Sequence, residues 1–66
     1  MKITVNGEIQ EVPDGITAAD LVQNLGLIGQ RIAMEVNREI VPRSEHPHHV
    51  LQAGDTVEIV RAVGGG

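Results

Sequence analysis

The chain has 66 residues, enough for one domain and one small core, since chains of this size bury only about 60% of the surface they expose when unfolded. It is 41% apolar but contains no Phe, Trp, Tyr or Cys, and its formal charge is −4. The core must therefore be aliphatic; disulfides, a Cys-ligated zinc site and a thiol nucleophile are excluded, and an acidic surface without aromatic stacking platforms argues against nucleic acid and for a basic cleft on another protein.

Taken in chain order, Lys2 to Asn6 alternates polar and apolar residues, Asn6-Gly7 is a two-residue hairpin signal, and Glu8 to Val12 resumes a strand before Pro13-Asp14-Gly15. Such a turn pairs Val5 with Glu8 and Ile3 with Gln10. It puts Val12 on the side of Ile3 and Val5 and leaves Ile9 on the other face, unless a bulge shifts the register. Thr17 has the features of a helix N-cap in a capping box with Asp20. Ile16 and Leu21 are spaced for a hydrophobic staple, Leu21, Val22 and Leu25 form an apolar stripe, and Gly26 supplies a left-handed stop. Gln30 to Val36 reads as an inner strand with Ile32, Met34 and Val36 on one face and Ala33 on the other. Asn37-Arg38 turns the chain into a short strand, Glu39-Ile40-Val41, which Pro42 ends and confines to an edge. Ser44 to Leu51 reads as polar and irregular. Ala53-Gly54-Asp55 then turns into a last strand, Thr56 to Val63, with Val57 and Ile59 facing the core. The order predicts an α+β fold of the ubiquitin-like β-grasp type: a mixed sheet of four to five strands with one main helix packed on one face. Residues 1–63 form the domain and 64–66 a flexible tail.

That tail, Gly64-Gly65-Gly66, is the most informative feature. Three glycines at one fixed place arise by chance in roughly 0.03% of chains. Lacking Cβ atoms, such a segment threads a narrow cleft in extended form and presents its carboxylate. The bland alternative is a cloning scar or a frayed end. Because Cys is absent, any sulfur the chain handled would need an attachment point other than a thiol.

Other side chains carry less. His46-Pro47-His48-His49 is the one cluster of metal-ligand type, but a metal site needs three or four ligands converging on a rigid frame, so a solvated loop is the expectation and no metal is assigned. Ser44 beside His46 lacks the oriented third group and the oxyanion donors of a catalytic triad. The acidic residues are scattered, and Arg31, Arg38, Arg43 and Arg61 are too dispersed for a phosphate site. Ile9, Val60 and Ala62 are expected to face outward on the sheet, and together they would form a partner interface. No apolar stretch is long enough to span a membrane, and the expected location is the cytoplasm.

The opening Met1-Lys2-Ile3-Thr4-Val5-Asn6-Gly7, the segment Val36-Asn37-Arg38-Glu39-Ile40-Val41-Pro42-Arg43, Ala53-Gly54-Asp55 and the terminal Gly65-Gly66 resemble the thiamine-biosynthesis sulfur carriers of the ThiS family, over the whole chain. The third glycine, Gly64, departs from the diglycine pattern and should lengthen the reach without changing the chemistry. The resemblance implies that the Gly66 carboxylate is adenylated with ATP by an E1-like enzyme, converted to a thiocarboxylate by a persulfide sulfur donor, and used as sulfur source by thiazole synthase, with Gly64 and Gly65 entering the partners' active sites. It implies a carrier, not an enzyme, monomeric when free and without a bound cofactor; ATP is used by the activating partner. A carboxylate is ionised at neutral pH and is a poor acyl donor until adenylylate becomes its leaving group, so activation is required. Two alternatives stay open within the fold, the small subunit of molybdopterin synthase and a ubiquitin-related modifier joined to lysines. A third is of another class: a β-grasp regulatory or ligand-binding module whose glycine tail is incidental.

Overall fold

The structure is a computed structural model and describes residues 1–61. Strands β1 (Lys2–Val5) and β2 (Glu8–Glu11) form the opening hairpin, with Val5 opposite Glu8 and Ile3 opposite Gln10. Asn6 and Gly7 both take positive φ, 50° and 85°, which a two-residue turn requires if its twist is to match that of the strands. No bulge intervenes, so Val12 is buried and Ile9 is 73% exposed.

Helix α1 (Ala18–Asn24) starts where the capping box places it: the Asp20 amide donates to Thr17 Oγ1 and the Thr17 amide to Asp20 Oδ2, both at 3.1 Å. It stops at Gly26, φ 72°, where the Gly26 amide bonds the Gln23 carbonyl and the Leu27 amide bonds that of Val22, a Schellman arrangement. A helix of seven residues is marginal alone, so burial of Ala18 and Leu21, with Ile16 before the cap, holds it on the sheet.

Strand β3 (Ile32–Val36) begins two residues later than the apolar pattern predicts. The Gln30 amide is held in a turn by the Leu27 carbonyl, Gly29 sits at φ 82°, and the Gln30 carbonyl accepts from Arg43 Nη2 at 2.6 Å instead of joining a ladder. Asn37 and Arg38, both at positive φ, turn β3 into β4 (Glu39–Val41). The segment expected to be irregular contains a 3-10 helix, Arg43–His48, started by Pro42, whose carbonyl accepts from the Glu45 amide. Beyond it the chain clasps the entrance to α1: the Ala18 amide donates to the His49 carbonyl and the Leu51 amide to the Ile16 carbonyl. Strand β5 (Thr56–Arg61) completes the order β2-β1-β5-β3-β4. Its pairing with β1 is parallel and all other pairings are antiparallel, which gives a five-stranded mixed sheet of the ubiquitin-like β-grasp type.

The core lies between α1 and one face of the sheet. Ile3, Met34, Leu51 and Val57 are nearly inaccessible there, and each fully buried aliphatic side chain contributes about 1.5–3 kcal/mol. The opposite face has no layer over it among the described residues.

Candidate functional site

Strand β5 occupies the middle of the sheet and leads toward the glycines, so what holds it determines where the C-terminal segment starts. β1 pairs with β5 only through Thr4–Thr56 and Val5–Val57, because β1 then turns away at Asn6. The Asn6 side chain replaces the missing strand: the Ile59 amide donates to Asn6 Oδ1 at 2.8 Å, and Asn6 Nδ2 donates to the Ile59 carbonyl at 3.2 Å. At the other end the Thr56 amide donates to Asn37 Oδ1 at 3.0 Å while Asn37 Nδ2 donates to Asp55 Oδ1 at 2.9 Å. Two turn asparagines thus fasten β5, one at its first residue and the other at Ile59. Reading Asn6-Gly7 and Asn37-Arg38 as turns gave no hint of these bonds, whose only sequence signal is an amide side chain at a turn position. Ala62, Gly64, Gly65 and Gly66 lie outside the described residues.

On the uncovered face, alternation along β5 turns Thr56, Glu58 and Val60 outward while Val57 and Ile59 go to the core. Ile9 lies on the same face but not beside Val60. It pairs with Thr4, whose other neighbour is Thr56, four positions before Val60. The neighbours of Val60 are different: Ala33 stands opposite it, and the next outward row across the sheet is Glu58, Glu35 and Ile40. Ile40, at 74% exposure, was not anticipated as part of this face, although its alternation with Val41 carried the signal.

The histidines do not converge. His46 is buried at 6% exposure, contrary to the expectation of a solvated loop, because the 3-10 helix turns its ring inward, where Nε2–H donates to the Val41 carbonyl at 3.0 Å. His48 is exposed and His49 half-buried. Among the described residues no group of three His, Asp or Glu side chains is placed to hold a metal ion. His46, Arg43, Val22, Ile28 and Ile32 line an open groove of about 390 Å³ between α1 and the 3-10 helix. No helix among the described residues is long and apolar enough to cross a membrane.

A single helix against a five-stranded mixed sheet, with β5 central and followed by a glycine-terminated segment, defines a ubiquitin-like protein of the β-grasp class. The ThiS family model matches residues 3–66, and the chain belongs to that family. Over all 66 residues it is 38% identical to a thiazole synthase of Paramagnetospirillum magneticum and to one of Magnetococcus marinus, and it spans 20% of the length of each. It is 29% identical to the sulfur carrier protein ThiS of Escherichia coli, with both chains covered completely. Among solved structures, the crystal structure of the thiamine biosynthesis protein ThiS from Geobacter metallireducens superposes with a TM-score of 0.85 at 28% identity, again over the whole of both chains. The solution structure of a thiamine biosynthesis protein from that organism gives 0.81, covering all of this chain and 88% of the other.

Proposed function

We propose that this chain is a sulfur carrier for thiamine thiazole synthesis and that Gly66 is the residue that bears the sulfur. The observation that carries the reading is the ThiS family match, which continues through the terminal Gly65-Gly66. The complete mutual coverage with the Escherichia coli sulfur carrier supports it. In the proposed cycle a Gly66 carboxylate oxygen attacks the α-phosphorus of ATP in the site of an E1-like enzyme, and pyrophosphate leaves. The terminal sulfur of a persulfide donor then attacks the acyl carbon and displaces AMP. Cleavage of the resulting acyl disulfide by a thiol leaves the thiocarboxylate. A sulfur held in this way needs no Cys in the carrier, which fits a chain that has none.

Thiazole synthase is the proposed acceptor. Proteins of that name contain, within about five times this chain's length, a stretch 38% identical to it. The chain itself acts as a cosubstrate in the cytoplasm, with Gly64 and Gly65 as the tether that enters each partner's site. The test is intact mass after incubation with ATP, an E1-like enzyme and a persulfide donor. A gain equal to sulfur replacing oxygen is expected; no gain, or the same gain after deletion of Gly65 and Gly66, refutes the reading. Growth without thiamine of a strain lacking its own carrier separates the thiamine role from those of a molybdopterin-synthase subunit or a protein modifier.

A further inference from the structure

The end of β5 lies beside the groove between α1 and the 3-10 helix. Arg61, the last residue of β5, pairs with Ile32, which follows Arg31 in the chain. Opposite residues in this register share a face: Val57 and Val36 are both buried, as are Ile59 and Met34, so Arg61 and Ile32 lie on the α1 side. Ile32 is also a wall of the groove, with Val22, Leu27, Ile28, Arg43 and His46. These walls are largely apolar, and Ile28 is 67% exposed there. Arg43 is the one cation among them: its Nη2 donates to the uncharged Gln30 carbonyl at 2.6 Å, and a guanidinium has further N–H donors to offer. Among the described residues Arg43 has no ion pair, and no carboxylate lines the groove. The His46 ring already spends Nε2 on the Val41 carbonyl and supplies a wall.

We propose that this groove is a docking site for the chain's own residues 62–66, with Val63 against Ile28 and Ile32 and the Gly66 carboxylate on Arg43. The span permits it. Antiparallel continuation past the Arg61–Ile32 pair brings residue 63 level with Gln30, whose carbonyl Arg43 already holds, and five residues reach at most about 16–18 Å. Strand alternation puts residue 63 on the same side as Arg61. The glycines then turn the backbone toward the guanidinium, since no Cβ restricts φ. The chemistry matches as well, because an apolar side chain followed by an anion meets apolar walls beside an unpaired cation, with Arg31 and Arg61 adding positive charge at the same end of the sheet. Attachment in one chain gives an effective concentration in the millimolar range, so a contact with a Kd of about 1 mM keeps about half of the tails docked. A docked tail is a resting state: the carboxylate has to be withdrawn before a partner's cleft can take it, and the apparent affinity for that partner falls accordingly. The role of the withdrawn tail rests on the reading above, whereas docking itself requires only a C-terminal carboxylate and no partner.

The experiment is nuclear magnetic resonance on the isotopically labelled full chain, without ATP or any enzyme. Nuclear Overhauser contacts are expected from the Val63 methyl groups to those of Ile28 and Ile32. They should weaken about twofold or more in Arg43→Gln, with the amide resonances of Gly64, Gly65 and Gly66 shifting in step. Ile28→Asp leaves the bond from Arg43 to Gln30 in place but sets a carboxylate where the tail docks; it should have the same effect, and it serves if Arg43→Gln does not fold. Absence of these contacts from the unaltered chain overturns the proposal, as does their persistence at full strength in either folded variant. Their loss on dilution overturns it too, because it assigns them to the tail of a second copy. Mass gain in the sulfur-loading reaction by a chain without these contacts refutes the docking alone, whereas docking without mass gain refutes the sulfur-carrier reading alone.

Discussion

Alternate residues of one strand, β5, go to opposite sides of the sheet. Val57 and Ile59 are buried against α1, whereas Glu58 and Val60 face outward among Glu35, Ala33 and Ile40. The two faces share backbone, register and twist, so the difference between them lies entirely in side chains. One face supplies the apolar burial that offsets the entropy of folding, and the other is released from that task and carries charge and exposed apolar surface. A chain this small has little stability to spare, and it is concentrated on one face, while the other holds Glu58 opposite Glu35.

Substitutions can break or sharpen that contrast. The largest effect is expected at the inner face, where Met34→Ala removes a nearly inaccessible side chain and should cost about 2–5 kcal/mol in urea denaturation, a large part of the stability of so small a domain. Next comes Asn6→Ala, which loses both bonds to Ile59 and places a Cβ-bearing residue without a local hydrogen bond at φ 50°; the expected loss is about 2–3 kcal/mol. Asn6→Gly tolerates the dihedral angle and isolates the bonds, so it should cost about half as much. Thr17→Ala removes the capping box and should cost about 1 kcal/mol, read from the same denaturation curves. At the outer face Val60→Ala should change stability by no more than about 0.5 kcal/mol. A loss there comparable to that of Met34→Ala would show that both faces support the fold and would erase the distinction.

The features legible in the sequence are those encoded by neighbours. The Asn6-Gly7 turn set the hairpin register and with it the exposure of Ile9. Thr17 and Asp20 marked the helix start, Gly26 its end, and Pro42 the edge strand. What escaped depended on residues far apart. The bonds from Asn6 to Ile59 join positions 53 apart, and the facing of Glu35 and Glu58 requires the register of β3 on β5. For the same reason Ile9 and Val60 could be assigned to one face but not placed relative to each other. His46 is a local miss: six polar or proline residues in succession look solvated, yet a 3-10 helix rotates one of them beneath the others and supplies the Val41 carbonyl as its partner. The role proposed for Gly66 rests on motif resemblance and on the chemistry of a terminal carboxylate, both independent of tertiary contacts.

The central claim is tested most directly by locating the transferred atom. Fragmentation of the intact product, after reaction with ATP, an E1-like enzyme and a persulfide donor, should place one sulfur in oxygen's stead within the C-terminal fragment that ends in Gly66, with every fragment from residues 1–65 unchanged in mass. Sulfur on any internal residue, or a product with no added mass, would contradict the account.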